Sequence, residues 1–187
     1  MSTPSDSLPT KDDTPRLDFL QGVLVLELAS SVAAPFATQL LADLGATVIK
    51  IEKPGLGDDC RSWGPPFLDG ESLWFISVNR NKSSVTLDYS HPTGYKVLAG
   101  LIKKADVVLL NQVPRVQEKL KVDYKQLKAI NPEIVHASIT GFGLQGPRCN
   151  MPCYDLIAEG YSGVMDMTGE SAGPPQKIGT PAADLLA

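Results

Sequence analysis

From Leu20 onward the apolar residues fall into two alternating spacings. Residues 22–29, GVLVLELA, form a short run rich in Val and Leu, as in a strand covered on both faces. Residues 34–46, APFATQLLADLGA, put Phe36, Leu40, Leu41 and Leu44 on one side of a helix. Pro35 suits its first turn and Gly45 its end. Residues 47–55, TVIKIEKPG, predict a second strand stopped by Pro54 and Gly55, which completes a βαβ unit. A long irregular stretch, GLGDDCRSWGPPFLDGES, follows. The pattern then predicts a strand at 83–89, a helix at 91–105 and a buried strand at 106–111. A short helix lies within 123–133, ended by Asn131-Pro132, and a strand at 134–143 runs into glycines. Residues 153–170 read as an amphipathic helix ended by Gly, and Ala182 begins a further helical run.

Strands alternating with helices predict an α/β fold: a Rossmann-like open, largely parallel sheet with flanking helices. Ligands of such sheets bind beyond the carboxyl ends of the strands. That rule selects Lys53, Leu87-Asp88, Asn111-Gln112-Val113 and Gly141-Phe142-Gly143. The first strand-to-helix turn, ELASSVAAP, lacks the G-x-G-x-x-G that brings backbone amides to a pyrophosphate. No G-x-x-x-x-G-K-[ST] is present either. Nicotinamide and flavin dinucleotides and P-loop nucleotides are therefore not the expected ligands.

Bulk composition narrows the class further. The chain has 187 residues, 43% of them hydrophobic, which suits one domain with a sizeable core. A net charge of -4 argues against nucleic acid, yet a local basic patch leaves an anionic small ligand open. Three cysteines, Cys60, Cys149 and Cys153, form neither an even disulfide set nor a CxxC pair, so no metal site is expected and a reducing compartment is. The expected setting is soluble and intracellular, cytoplasm or mitochondrial matrix. No apolar run approaches the roughly 20 residues of a spanning helix, so no membrane contact is expected. Residues 1–16 are polar and Pro-containing, resemble neither a signal nor a transit peptide, and are expected to be a disordered lead-in.

Several charged or aromatic residues admit two readings. GDDCRSWGPPF is either a Pro-stiffened surface loop or an ordered loop presenting Arg61 and Trp63 to a ligand. Arg80 and Lys82 are either solvated turn charges or phosphate contacts. Lys103-Lys104 complement a helix dipole, and His91 and His136 read as structural. Asp155 and Asp184 each read as an acid in a first helical turn. The residues alone reach an α/β domain that binds an anionic small molecule.

Taken together, GVLVLELASSVAAPFATQLLADLGATVIKIEKPGLGDDCRSWGPPF, NRNKSSVTLD, KKADVVLLN, NPEIVHASITGFGLQGP and YDLIAEGYSGVMDMTGE…GPPQKIGTPAADL resemble the class III CoA-transferases, the CaiB/BaiF family. GDDCRSWGPPF with ESLWFISVNRNKSS is most similar to the branch acting on succinyl-CoA and dicarboxylates such as glutarate and hydroxymethylglutarate. The resemblance implies a subunit roughly double this length, with two subunits interlocked as a homodimer. Residues 17–187 would be the N-terminal part of its CoA-binding α/β domain, interrupted three residues past Asp184. It implies Asp184 as a nucleophile that forms an acyl anhydride and then an aspartyl-CoA thioester. No permanently bound cofactor is implied; acyl-CoA and a small carboxylic acid are the substrates. The CoA contacts it implies are Val32-Ala33, Lys53, Leu87-Asp88, Asn111-Gln112-Val113, Lys119 and Cys153-Tyr154-Asp155. The chain departs from the family pattern with Val32 for Gln, Arg115 for Gly and Lys121 for Gly. Two alternatives stand beside transfer. One is the related α-methylacyl-CoA racemases, whose proton-transfer His is replaced here by Tyr154. A Tyr, with an ordinary pKa near 10, suits α-proton abstraction poorly. The other is an inactive CoA-binding fragment.

Overall fold

The computed structural model describes residues 17–187; the lead-in expected at 1–16 lies outside them. The main sheet has five strands: β1 (Leu24–Leu28), β2 (Thr47–Glu52), β5 (Lys82–Thr86), β6 (Val107–Leu110) and β7 (Val135–Ser138). A two-stranded hairpin, β3 (Phe67–Leu68) with β4 (Glu71–Ser72), lies in the connection from β2 to β5. It turns at Asp69-Gly70, both left-handed with φ 50° and 84°, as a tight hairpin requires. Helices α1 (Ala33–Asp43), α2 (Leu73–Ser77), α3 (Pro92–Ile102), α4 (Pro114–Leu120), α5 (Tyr124–Ile130), α6 (Asp155–Ser162) and α7 (Ala182–Leu186) complete the chain.

The main sheet runs β5-β2-β1-β6-β7 with every neighbouring pair parallel, which is the expected α/β architecture. The chain starts at the centre, moves outward to β2 and β5, then returns to β6 beside β1 and continues to β7. This reversal opens a crevice beyond the ends of β1 and β6.

Period-two alternation gives β1 two faces. Leu26 and Leu28 join Leu98, Ile102, Leu110 and Leu127 in one fully buried cluster. Val25 faces Ala42, Ala46 and Val48 on the α1 side. Glu27 lies on that second face too, and is completely buried.

The expected face of α1 is corrected by the structure. Its buried residues are Ala34, Pro35, Thr38, Gln39 and Ala42, while Leu40 stays 45% exposed. The sheet beneath carries buried charge at Glu27 and Lys50, so the helix presents small and polar groups there. Thr38 donates from Oγ1 to Glu27 Oε2 at 2.5 Å, a bond no leucine could supply. Leu41 finds its apolar contact at the flank, against the cluster of Val25 and Val48.

Other boundaries shift for local reasons. Helix α4 was not expected; Pro114 starts it, and Lys121 ends it in a left-handed conformation, φ 58°. The segment expected as one helix over 153–170 breaks at Gly163, φ 83°, into α6 and a short 3-10 turn, Val164–Met167. Strand β5 starts at Lys82 and ends before Leu87, and β7 stops at Ser138. His91 takes the structural role expected of it, since its Nδ1 accepts from Thr93 N at 3.3 Å and caps α3. No helix among the described residues is long and apolar enough to cross a membrane.

Candidate active-site crevice

The crevice at the strand reversal is a cavity of about 410 Å³. The turn Ser30–Ala33 forms one wall, Asn111–Val113 a second, Ile139–Gly141 a third, and Met151–Tyr154 with Ala183 and Asp184 the fourth. A smaller cavity of about 140 Å³ adjoins it, because Ser30 and Gln112 line both. Lys53, Gly57, Asp58 and Tyr89 are among the residues of the smaller one.

Side-chain amides set these walls. Asn111 sits directly after β6 and clamps the turn after β1: its Nδ2 donates to Ser30 O at 2.8 Å, and its Oδ1 accepts from Ser30 N at 3.3 Å. Gln112 donates to Leu28 O. Gln117 on α4 then ties this wall to β7, donating from Nε2 to Gln112 O at 2.7 Å and to Ser138 Oγ at 2.9 Å. Gly141 permits a close approach on the far side. A Cβ there would lie 2.0 Å from Cys153 Cβ, so any side chain would push the Cys153-Tyr154 wall away.

Asp184 stands in the first turn of α7. Asp155, in the first turn of α6, accepts at Oδ1 from Ala183 N at 2.9 Å and from Asp184 N at 3.3 Å. One carboxylate thus anchors the backbone that carries the other. Burial, and then the negative charge of Asp155, hold the Asp184 carboxyl above the usual carboxylate range. Burial and Asp184 likewise push the Cys153 thiol up, which keeps it a neutral wall group rather than a thiolate.

The crevice therefore brings together nine of the residues singled out from sequence: Val32, Ala33, Asn111, Gln112, Val113, Gly141, Cys153, Tyr154 and Asp184. Asp155 stands behind Asp184, and Lys53 lines the adjoining cavity, its Nζ 2.5 Å from Asp59 Oδ1. Leu87, Asp88 and Lys119 line neither cavity. Leu87 donates its backbone N–H to Glu52 O at 2.8 Å. The exposed Asp88 carboxylate accepts from Ser90 N and Oγ at 3.0 and 2.6 Å, which lowers its pKa. Lys119 lies in the last turn of α4.

The residues with two readings pair with other parts of the protein, Arg61 and Lys82 inward and Arg80 at the surface. Arg61 forks onto Glu52, with Nε to Oε2 at 2.7 Å and Nη2 to Oε1 at 2.8 Å, and stacks 3.6 Å from the Phe75 ring centre. Burial works against the Glu52 carboxylate, but the Arg61 fork together with the bonds from Ser84 Oγ and Asp58 N outweighs it and holds Glu52 down to about 2. Trp63 packs edge-on against Trp74, centroids 6.1 Å apart. Arg80 pairs with Asp43. Lys82 is buried, 2.8 Å from Glu27 Oε2, and burial pulls its ammonium down to about 8 against the attraction of Glu27.

Sequence reasoning missed the cluster that Lys82 belongs to. Lys50 Nζ lies 2.5 Å from Glu27 Oε1 and 2.6 Å from Asp58 Oδ2, all three side chains at most 1% exposed. Burial alone would discharge Lys50, yet the two carboxylates keep its pKa raised. The available signal was a charge within each apolar strand, Glu27 in LVLEL and Lys50 in TVIKIE, at positions that pair across β1 and β2.

Comparison with known proteins identifies the family. The succinyl-CoA:glutarate CoA-transferase of Mus musculus is 45% identical over 166 residues, which cover 89% of this chain and 38% of that protein. The succinate--glutarate CoA-transferase of Agrobacterium fabrum is 44% identical, covering 89% of this chain and 43% of that one. A crystal structure of a CaiB/BaiF family protein from Brucella suis superposes with a TM-score of 0.84 at 45% identity, over 89% of this chain and 45% of that chain. The chain thus spans less than half the length of these relatives. Residues 20–187 match CoA-transferase family III, and the chain belongs to that family.

Proposed function

We propose that this chain is the CoA-binding, nucleophile-bearing part of an enzyme that moves CoA from succinyl-CoA to a dicarboxylic acid, with Asp184 as the nucleophile. The observation that carries the reading is the Asp184 carboxyl at the strand-reversal crevice, its backbone anchored by Asp155. Two relatives whose names pair succinate with glutarate support the substrate class.

The chemistry follows covalent catalysis by a carboxylate. An Asp184 oxygen attacks the thioester carbonyl carbon, the C–S bond breaks, and CoA leaves as thiolate. The resulting mixed anhydride is attacked by that thiolate at the Asp184 acyl carbon, which frees the donor carboxylate and leaves an aspartyl-CoA thioester. The acceptor carboxylate then attacks this thioester, and the released thiolate takes the acceptor's acyl carbon, returning Asp184 as carboxylate. No net proton is consumed. Only the carboxylate form attacks, so the raised Asp184 pKa places the acid limb of activity above the ordinary Asp value of about 3.9.

In this reading Val32, Ala33 and Asn111–Val113 enclose the pantetheine, and Cys153, Tyr154 and Asp155 border the reacting end. Lys53, Leu87, Asp88 and Lys119 serve the nucleotide end, where Arg or Lys suits phosphate. Nothing at position 154 supplies the proton-transfer His of a racemase; a Tyr stands there. The proposed assembly is a homodimer, consistent with exposed apolar side chains on α6 such as Leu156 and Tyr161.

The test is trapping. The protein carrying this chain is incubated with succinyl-CoA and hydroxylamine, and the peptide containing Asp184 is weighed by mass spectrometry. A hydroxamate at Asp184 is the expected result. Turnover without modification at Asp184 would sink the assignment.

A further inference from the structure

The turn that walls the crevice is held from beneath by buried charge. Ser31 has φ 72°, a left-handed conformation that a side-chain-bearing residue keeps only where its surroundings impose it. The imposing contacts run in sequence. Ser31 N donates to Asp58 Oδ1 at 2.9 Å. Lys50 Nζ meets Asp58 Oδ2 at 2.6 Å and donates to Ala29 O at 3.1 Å. Ser30, between them, is clamped at both N and O by Asn111. Three consecutive residues are therefore fixed by directional bonds. Lys50 is itself braced by Glu27, and Glu27 by Lys82 at 2.8 Å.

We propose that the Lys50–Asp58 pair, braced by Glu27 and Lys82, is a positioning device that shapes the turn Ala29–Ala33 to receive acyl-CoA. This rests on the CoA-binding reading above. Neither Lys50 nor Asp58 lines the main crevice, and Asp58 borders only the adjoining smaller cavity; their hold on the turn runs through its backbone. A purely stabilising role would be served as well by apolar side chains of similar volume. Apolar packing, however, has no means to fix a carbonyl and an amide two residues apart in a strained turn. Asp58 also ties the turn to the loop after β2, since its own N–H donates to Glu52 Oε2 at 2.9 Å.

The test compares Asp58→Ala with Leu98→Ala in the protein that carries this chain intact. Leu98 is fully buried in the cluster on the other face of the sheet. Two quantities are read: amide hydrogen exchange at Ser31 and Val32, and CoA affinity by calorimetry. Asp58→Ala is expected to speed Ser31 exchange by roughly tenfold or more, as loss of one hydrogen bond allows. It is expected to weaken CoA binding by roughly tenfold or more, since small misplacements of a site are costly. Leu98→Ala is expected to lower the melting temperature while leaving both readouts near the parent values. Where Asp58→Ala does not fold, Asp58→Asn, which keeps an acceptor and loses the charge, is read in the same two assays. Unchanged exchange at Ser31 overturns the proposal. So does CoA affinity within roughly threefold of the parent once the turn is released. A parent protein that binds no CoA refutes the functional reading instead, and the exchange rates still decide whether the pair holds the turn.

Discussion

The two faces of β1 show two ways of building one sheet. Toward α3 and α5, Leu26 and Leu28 meet Leu98, Ile102 and Leu127 in a cluster with no polar partner to choose. Toward α1, Glu27 meets Lys50, Lys82 and Thr38, each at a defined distance. The apolar face supplies non-directional stabilisation, in proportion to the area removed from water. The charged face supplies little net stability for its desolvation cost, but every bond in it has a direction. The crevice turn lies at the end of the same strand, and besides the Asn111 clamp on Ser30 the bonds that hold it at Ala29 and Ser31 come from the charged face. One face keeps the domain folded, and the other decides where its backbone goes.

The sharpest way to break this contrast is to remove one charge. Lys50→Met leaves Asp58 without its cation and is expected to cost about 3–5 kcal/mol in urea unfolding. Adding Asp58→Asn removes the stranded charge, so the double variant is expected to regain at least about 1 kcal/mol over the sum of the singles. Leu98→Ala, at about 2–5 kcal/mol, is expected to add to Lys50→Met without such recovery. Simple additivity of Lys50→Met with Asp58→Asn would mean the charged face is not one network.

Acid probes the neighbouring pair. Glu52 is held to about 2 against an ordinary 4.5, chiefly by the Arg61 fork working against burial. A carboxylate depressed in the folded state contributes stability that is present above the unfolded pKa and lost as pH falls through the folded one. Stability from this residue is therefore expected to be intact at pH 6 and to drain away between about 4.5 and 2, by roughly 3 kcal/mol in all. Arg61→Met is expected to move that loss to higher pH. An acid unfolding curve that Arg61→Met leaves unmoved would show that the fork does not set the Glu52 carboxylate.

The contrast also explains what could be read from the chain beforehand. The apolar periods located the five strands of the main sheet and most helices, because burial of that face needs only hydrophobicity at the right spacing; they did not locate the β3–β4 hairpin. The strand ends then located Asn111–Val113, and the family resemblance located Asp184, both of which line the crevice. The charged face was opaque. Glu27 and Lys50 are single letters inside apolar runs, and their meaning depends on pairing between strands 23 residues apart. Lys82 looked like a turn charge because its partners, Glu27 and the carbonyls of Pro35 and Val78, come from three other places in the chain. The Leu stripe on α1 misled for the same reason, since the charge beneath the helix makes Thr38 an inward residue, with Gln39 buried beside it.

The smallest expected effect tests the contrast at Ser31 itself. If the buried pair imposes φ 72° on a residue that resists it, removing the resistance relieves strain without touching the bond. Ser31→Gly keeps the N–H that donates to Asp58 and accepts a positive φ freely. Glycine also gains freedom in the unfolded chain, which offsets part of the relief. The net change in stability is therefore expected to lie within about 1 kcal/mol of the parent, with Ser31 exchange still slow. Ser31→Val has the opposite character: a branched side chain in a left-handed conformation is expected to lose about 1–3 kcal/mol. Differential scanning calorimetry of the two variants separates them. Equal stability would mean that the turn relaxes out of the left-handed region, and that the charges beneath it follow the turn instead of setting it.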